Sequence, residues 1–201
     1  MNDPSQALAV FTRTPVAGKT KTRLAQSLGD AGALAAHIEL AQGCLDRLQM
    51  QANTRCELWI TEPAPIVAQW ADQYHFTLRY QCEGDLGARM YHSLHELMVV
   101  DVFAAVLVGS DCPSINADYV QTAFDSLQNN DMVFGPAEDG GYGLVGLRRS
   151  ALPAASAVFE GIAWGSSTVL VQSLERAEAM RLSVTQLPVI WDVDELADWH
   201  R

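Results

Sequence analysis

Residues 104–108 (AAVLV) are apolar without interruption, and Gly109-Ser110-Asp111-Cys112-Pro113 follows at once. A strand of that composition has no face for water, so it belongs in a parallel sheet covered on both sides. Other segments fit such a sheet. Residues 8–12 (LAVFT) are a short β-prone run ending in the Pro/Gly-punctuated loop Thr14-Pro15-Val16-Ala17-Gly18. Residues 56–61 (CELWIT), 76–82 and 131–134 read as further strands. Between them, Leu34, Ile38, Ala41, Leu45 and Leu48 recur at helical spacing and predict one buried stripe, a core element to which no chemistry is assigned. A Pro-started helix through Trp70 and helices over 86–98 and 116–127 complete a β–α alternation, which predicts an α/β fold with a mostly parallel sheet. After Gly135 the pattern turns irregular and Gly-rich. Helices near 151–159 and 166–179, a strand over 182–189 and a short terminal helix follow.

With 201 residues, 49% of them hydrophobic and 18% charged, the chain reads as a single domain over residues 1–201, not as a disordered or fibrous protein. The apolar stretch over 99–108 is broken by Asp101 and falls far short of the roughly 20 residues that cross a bilayer. Met1-Asn2-Asp3-Pro4 does not open a basic-then-apolar leader, and Cys44, Cys56, Cys82 and Cys112 fall singly, as small buried residues do. The reading is a cytoplasmic protein without a membrane span, and no motif bears on its oligomeric state. A net charge of −11 argues against general nucleic-acid binding. Yet the only lysines, Lys19 and Lys21, lie between Arg13 and Arg23. That cluster, with Gly18 in its loop, is either solvated surface or a site for a small polyanion such as a nucleotide diphosphate.

Two motifs mislead. Gly18-Lys19-Thr20 resembles the end of a P-loop, but Arg13 stands where its first glycine belongs. Gly141-Tyr142-Gly143-Leu144-Val145-Gly146 matches G-x-G-x-x-G without running from a clear strand into a helix, and is set aside.

Three acidic turns can carry chemistry. Asp111, just past the buried strand, is placed either to bind a hard divalent cation or to cap the next turn. In Glu138-Asp139-Gly140-Gly141-Tyr142, Asp139 offers an acceptor for a hydroxyl or a proton, or simply makes a tight turn. In Trp191-Asp192-Val193-Asp194, Asp192 with Glu195 predicts a capping box, which leaves Asp194 as the ligand candidate. Tyr142 and Trp164 can stack on a base or sugar, or pack in the core. His92 and His95 read as surface or packing residues, and no nucleophilic triad is present.

Taken together, residues 11–24 (FTRTPVAGKTKTRL), 84–90 (GDLGARM), Gly109-Ser110-Asp111-Cys112-Pro113, residues 135–142 (GPAEDGGY), Trp164-Gly165-Ser166 and Asp192-Val193-Asp194 resemble a known family. It is the bacterial GT-A-type glycosyltransferase-like family, associated in some members with arsenosugar biosynthesis and related to phospholactate and molybdenum-cofactor guanylyltransferases. The chain departs from its pattern at Lys19, at Ala88 and at Glu195-Leu196-Ala197. The resemblance implies a GT-A (nucleotide-diphospho-sugar transferase) fold, a three-layer α/β/α arrangement. It implies a divalent metal, Mg²⁺ or Mn²⁺, on Asp111 and Asp194. Lys21 and Arg23, with Arg13, Gly18 and Lys19 of the same loop, would meet phosphates, and Arg89 would reach nucleotide or acceptor. Gly140, Gly141, Tyr142 and Trp164 would line the acceptor pocket, with Asp139 as base or acceptor-orienting group. The implied reaction is sugar transfer from a nucleotide sugar to a small-molecule acceptor. The alternatives are nucleotidyl transfer from an NTP to a phosphorylated small molecule, with release of pyrophosphate, and a non-catalytic nucleotide-binding module.

Overall fold

The computed structural model describes residues 5–49, 53–99 and 102–201. Met1–Pro4 and Asp101, on which the leader and stretch-breaking readings rested, lie outside the described residues. Among the described residues, no helix is long and apolar enough to cross a membrane.

The strands are β1 (Gln6–Thr12), β2 (Thr54–Ile60), β3 (Thr77–Tyr80), β4 (Ala104–Gly109), β5 (Met132–Pro136), β6 (Tyr142–Arg148) and β7 (Val184–Gln186). They form one sheet in the order β3-β2-β1-β4-β6-β5-β7. Helices α1 (Thr22–Arg47), α2 (Pro65–Tyr74), α3 (Leu86–Leu97), α4 (Ala117–Ser126), α5 (Leu152–Ala155), α6 (Val169–Ala179) and α7 (Leu196–Trp199) connect or follow them. Alternation along the strands splits the core between the two faces. Leu8, Val10, Leu58, Ile60, Val106 and Val108 join Leu45, Trp70 and Phe124 of α1, α2 and α4. Ala7, Ala9, Phe11, Ala105 and Leu107 face the other way, with Met90 and Leu94 of α3 and Ala177 of α6. Both faces of β4 are therefore covered, which is why its sequence carries no polar alternation. This is the three-layer α/β/α arrangement of the GT-A type.

The β1–β2, β1–β4, β2–β3 and β5–β7 pairs are parallel, whereas β6 runs antiparallel to both β4 and β5. Strand β6 corrects the reading of residues 142–148 as irregular, and its glycines explain the error. A Cβ on Gly146 would lie 2.6 Å from Val133 Cγ1, and one on Gly143 would lie 2.6 Å from Cys112 Sγ. The glycines serve close packing across the sheet, not a turn. From β1 the chain steps outward to β2 and β3 in one direction and to β4 in the other. The carboxyl ends of β1 and β4 therefore flank a crevice, the usual ligand position in open α/β sheets.

Candidate active site

A cleft of ≈ 690 Å³ opens at that switch point, lined by residues from both basic and acidic segments. Backbone hydrogen bonds place its walls. Ser110 N–H donates to the Phe11 carbonyl at 3.1 Å, tying the turn after β4 to the end of β1. The buried hydroxyls of Ser110 and Thr12 meet at 2.9 Å. Beyond β7 the chain continues beside β5. Leu187 and Ile190 N–H groups donate to Phe134 and Pro136, and Val193 N–H donates to the Asp111 carbonyl at 3.0 Å. That last bond seats the Asp192-Val193-Asp194 segment against the Asp111 turn.

Asp111, Asp192 and Asp194 each bring a carboxylate oxygen within 4.8 Å of the others. Lys21 reaches into this group, its Nζ 2.8 Å from Asp111 Oδ2 and 3.2 Å from Asp194 Oδ1. The Lys21 side chain is 7% exposed, against 39% and 40% for the two carboxylates it bridges. Lys21 is also the N-cap of α1, in the left-handed conformation (φ 48°, ψ 50°). A non-glycine residue there costs about 1–2 kcal/mol, a strain of the kind found at functional sites. Arg23, the second residue of the helix and 65% exposed, holds the other oxygen of Asp194 at 3.2 Å.

Burial works against the charge of Lys21, but Asp111 and Asp194 outweigh it and raise the ammonium's pKa. Burial likewise opposes ionisation of Asp111, and Lys21 overrides it to hold the carboxyl below its ordinary value. Among the described residues, Asp192 accepts no hydrogen bond and makes no ion pair. Burial, with Asp111 and Asp194 alongside, pushes it up to about 6. Three carboxylates thus face one buried ammonium and one exposed guanidinium, which leaves a local surplus of negative charge. An all-oxygen donor set with that surplus fits a hard divalent ion such as Mg²⁺ or Mn²⁺.

The other sequence-selected residues sit around this centre. Arg13 and Lys19 line the cleft, the first donating to the Lys19 carbonyl at 3.4 Å, the second 68% exposed and 3.9 Å from Glu62. Gly18, at φ 74°, lies in the same loop but is not part of the lining. Arg89 also lines the cleft, bonded to the Asp85 carbonyl and to Gln81 Oε1, each at 3.3 Å, with no carboxylate partner among the described residues. Asp139 faces the cleft with Oδ1 accepting Gly141 N–H at 2.8 Å, and its Oδ2 makes no hydrogen bond among the described residues. Gly141, Tyr142 and Trp164 line the cleft, and the two aromatic rings meet edge-on with centroids 6.4 Å apart. Gly140 stays out of the lining. It adopts φ 88°, and a Cβ there would lie 2.1 Å from the Ser167 carbonyl oxygen, so it admits the 164–168 loop to this wall. His92 packs edge-on against Trp59, and among the described residues no disulfide joins the four cysteines.

Two residues of the site escaped the sequence reading. The expected capping box at Asp192 and Glu195 does not form. Glu195 is itself the N-cap of α7 and pairs reciprocally with Asp198. Asp192 is therefore released to the carboxylate cluster, and its spacing of two from Asp194 in an extended segment was the available signal. His37 lies in the stripe assigned only to the core. It is buried beneath the cleft, and burial lowers its pKa. As a neutral ring it donates from Nε2 to the Arg13 carbonyl at 2.9 Å, fixing the start of the basic loop. Its place four residues before Ala41 put it on the inward face of α1.

A family profile described as "Uncharacterized protein conserved in bacteria (DUF2064)" matches residues 44–166. No curated protein matches the chain. Among solved structures, one from Desulfovibrio desulfuricans G20, provisionally described as a nucleotide-diphospho-sugar transferase, superposes with a TM-score of 0.87. It is 30% identical, over 97% of this chain and 84% of that one. A CMP:2-keto-3-deoxy-manno-octonic acid synthetase complexed with CTP superposes with a TM-score of 0.60 at 13% identity, over 98% and 95% of the two chains. Glucosyl-3-phosphoglycerate synthase from Mycobacterium tuberculosis, in complex with Mn²⁺, UDP and glucosyl-3-phosphoglycerate, gives 0.60 at 9% identity, over 98% and 75%. The last two share the fold with this chain. More than half of the chain matches the family profile, and the chain belongs to the DUF2064 family.

Proposed function

We propose that this chain is a metal-dependent glycosyltransferase that moves a sugar from a nucleotide-diphosphate donor to a small-molecule acceptor. The convergence of Asp111, Asp192 and Asp194, two of them paired with the Lys21 ammonium, inside the cleft at the switch point, carries this reading. The 30% identity to the Desulfovibrio protein supports it, as does the motif resemblance to the arsenosugar-associated family.

Asp111 and Asp194, joined by Asp192, would hold Mg²⁺ or Mn²⁺. When bound, such an ion supplies Lewis-acid neutralisation of charge on the departing diphosphate. Lys21 and Arg23 would meet the same diphosphate with a second, protein-borne set of positive charges. Tyr142 and Trp164 give the cleft an aromatic wall, and Arg89 supplies a guanidinium to the nucleotide or acceptor. Asp139, with one oxygen fixed by Gly141 N–H and the other free, would orient the attacking hydroxyl and take its proton.

A second reading rests on the convergence of Lys21 and Arg23 on a single carboxylate, Asp194. That concentration of charge would equally suit a leaving pyrophosphate in nucleotidyl transfer. A thermal-shift panel separates the two, using UDP-, GDP-, dTDP- and CMP-sugars and the matching triphosphates, each with Mn²⁺ or EDTA. A ligand at one hundred times its dissociation constant adds about 2.7 kcal/mol. For a chain of this size that is roughly 5–10 °C. A metal-dependent shift with one nucleotide sugar supports glycosyl transfer, and the reverse preference selects nucleotidyl transfer. No shift with any of them rejects both and leaves a module without nucleotide chemistry.

A further inference from the structure

We infer that Lys21 is the resident cation of the carboxylate cluster, and that a divalent ion takes this cluster only together with a phosphorylated ligand that draws the ammonium away. The inference rests on the metal-dependent reading of the site given above, and adds to it an order of binding.

The geometry makes lysine and metal compete. Nζ contacts Asp111 Oδ2 and Asp194 Oδ1, which come from the turn after β4 and from the segment before α7. These are the two residues that a divalent ion would use to join the same two segments. An ion bound by both carboxylates would share their oxygens with an ammonium already at 2.8 and 3.2 Å, and the two positive charges would repel at short range. Arg23 does not substitute for Lys21. It touches only Asp194, through Oδ2, from an exposed position.

The same lysine is built to move. Its backbone is anchored as the N-cap of α1, and the loop before it is held by the His37 bond to the Arg13 carbonyl. The four-carbon stem and its three rotatable donors can turn without a shift of that backbone. A phosphate oxygen entering the cleft offers the ammonium a second anionic partner. Once Nζ leaves, three carboxylates stand without a buried counter-charge, and the cluster's affinity for a divalent ion rises. Metal and phosphate therefore bind with positive coupling, and linkage makes the coupling reciprocal.

The chain has two lysines, so both can be followed individually. In the first experiment, free Mn²⁺ is measured by electron paramagnetic resonance during titration of the full-length protein. Wild type, Lys21→Met, Lys21→Gln and Asp111→Asn are compared, with and without UDP or GDP. Both neutral Lys21 variants should bind Mn²⁺ alone at least ~10-fold more tightly than wild type, because a competing charge has gone. The tightening that nucleoside diphosphate gives wild type should shrink in them by a similar factor, and Asp111→Asn should bind Mn²⁺ weakly throughout. Folded Lys21 variants that bind Mn²⁺ no better than wild type overturn the inference and leave metal dependence standing. Absence of Mn²⁺ binding in every protein, with or without nucleotide, overturns the metal-dependent reading and the inference with it. The second experiment needs no substitution at Lys21. The Nζ resonance in ¹⁵N-lysine-labelled wild type should hold its position with Mg²⁺ alone and shift with Mg²⁺ plus UDP or GDP. A Lys21 shift produced by Mg²⁺ alone overturns the inference.

Discussion

Asp131 and Asp111 mark the two ends of the same sheet, and their carboxylates are treated in opposite ways. Asp131 precedes β5, at the end of the sheet away from the cleft. It accepts from Arg148 Nη2 at 2.7 Å, from Ser183 N–H at 3.0 Å and from the Ser183 hydroxyl at 2.7 Å. Those bonds, led by the one from Ser183 N–H, hold its carboxyl below its ordinary value. One carboxylate there receives three donors, one of them a guanidinium, and closes the join between β5, β6 and β7. At the cleft, two of three clustered carboxylates share one buried ammonium, an exposed guanidinium reaches one of them, and Asp192 receives no donor among the described residues. The first end is a solved structural problem. The second keeps charge unbalanced beside a strained N-cap, an arrangement that folding alone does not call for and that a cation and an anionic ligand together would complete.

The largest effect should follow from Asp111→Asn. Transfer activity should fall by at least ~10²-fold, since a metal at such a site contributes several kcal/mol to the transition state. The unfolding transition should stay cooperative, because the neighbouring turn keeps its backbone bonds to Phe11 and Val193. Turnover rates with saturating Mn²⁺ check this, and wild-type turnover in the variant would place the metal elsewhere.

Asp131→Ala should do the reverse, lowering stability and leaving activity untouched. Losing charge-assisted bonds to Arg148 and Ser183 costs about 2 kcal/mol. For a chain of this length, that lowers Tm by roughly 4–8 °C. The pH dependence has a fixed sign. A carboxyl with a depressed folded pKa contributes its stability above the unfolded value of about 3.9 and loses it as pH falls through the folded value. Wild type and variant should therefore differ in denaturant midpoint at pH 7 and converge as pH falls through the lowered folded value. A gap that persists in acid would assign the effect to packing instead of charge.

These contrasts also show what was legible from the chain alone. Strands β1, β2 and β4 and the helices between them announce themselves because each buries a face with a regular period. So does the Asp111 turn, which follows directly from the apolar strand. The glycines of β6 carry no period, and the reason for them, Val133 and Cys112 pressing from neighbouring segments, exists only in three dimensions. Asp192 illustrates a different limit. The segment 192–198 (DVDELAD) contains two acidic pairs spaced three apart, and local sequence does not choose between the boxes they could form. Tertiary pairing does, because the Val193 bond to Asp111 draws 192–194 into extended chain and shifts the helix start to Glu195. His37 was hidden by its own surroundings, a polar ring on a stripe that otherwise reads as core.

Asp192→Asn should stabilise the metal-free protein, the opposite sign from Asp131→Ala. Removing one of three crowded negative charges, on a group whose pKa is pushed up to about 6, should add about 1–2 kcal/mol at neutral pH. Calorimetry in EDTA reads this directly. The same variant should bind Mn²⁺ less tightly than wild type, so the gain in stability and the loss of affinity appear together. A destabilised Asp192→Asn would mean that the cluster is as well satisfied as Asp131, and the contrast between the two ends of the sheet would collapse.

The smallest effect belongs to Lys19→Ala, and it separates charge from placement. Lys19 and Lys21 lie two residues apart in one loop and carry the same formal charge. Lys19 is 68% exposed and stands 3.9 Å from Glu62, whereas Lys21 is buried between two carboxylates. Exposed ion pairs contribute about 0–1 kcal/mol, so Lys19→Ala should move Tm by no more than ~4 °C. It should weaken nucleoside-diphosphate affinity only slightly, with the loss fading as salt rises, because an exposed charge acts through a screened field. Lys21→Met should weaken the same affinity by a larger factor that survives added salt. If instead the two variants lose equal affinity and equal salt dependence, the loop attracts phosphate by net charge alone. Its folding around His37 and its left-handed turn into α1 would then be structure without a part in recognition.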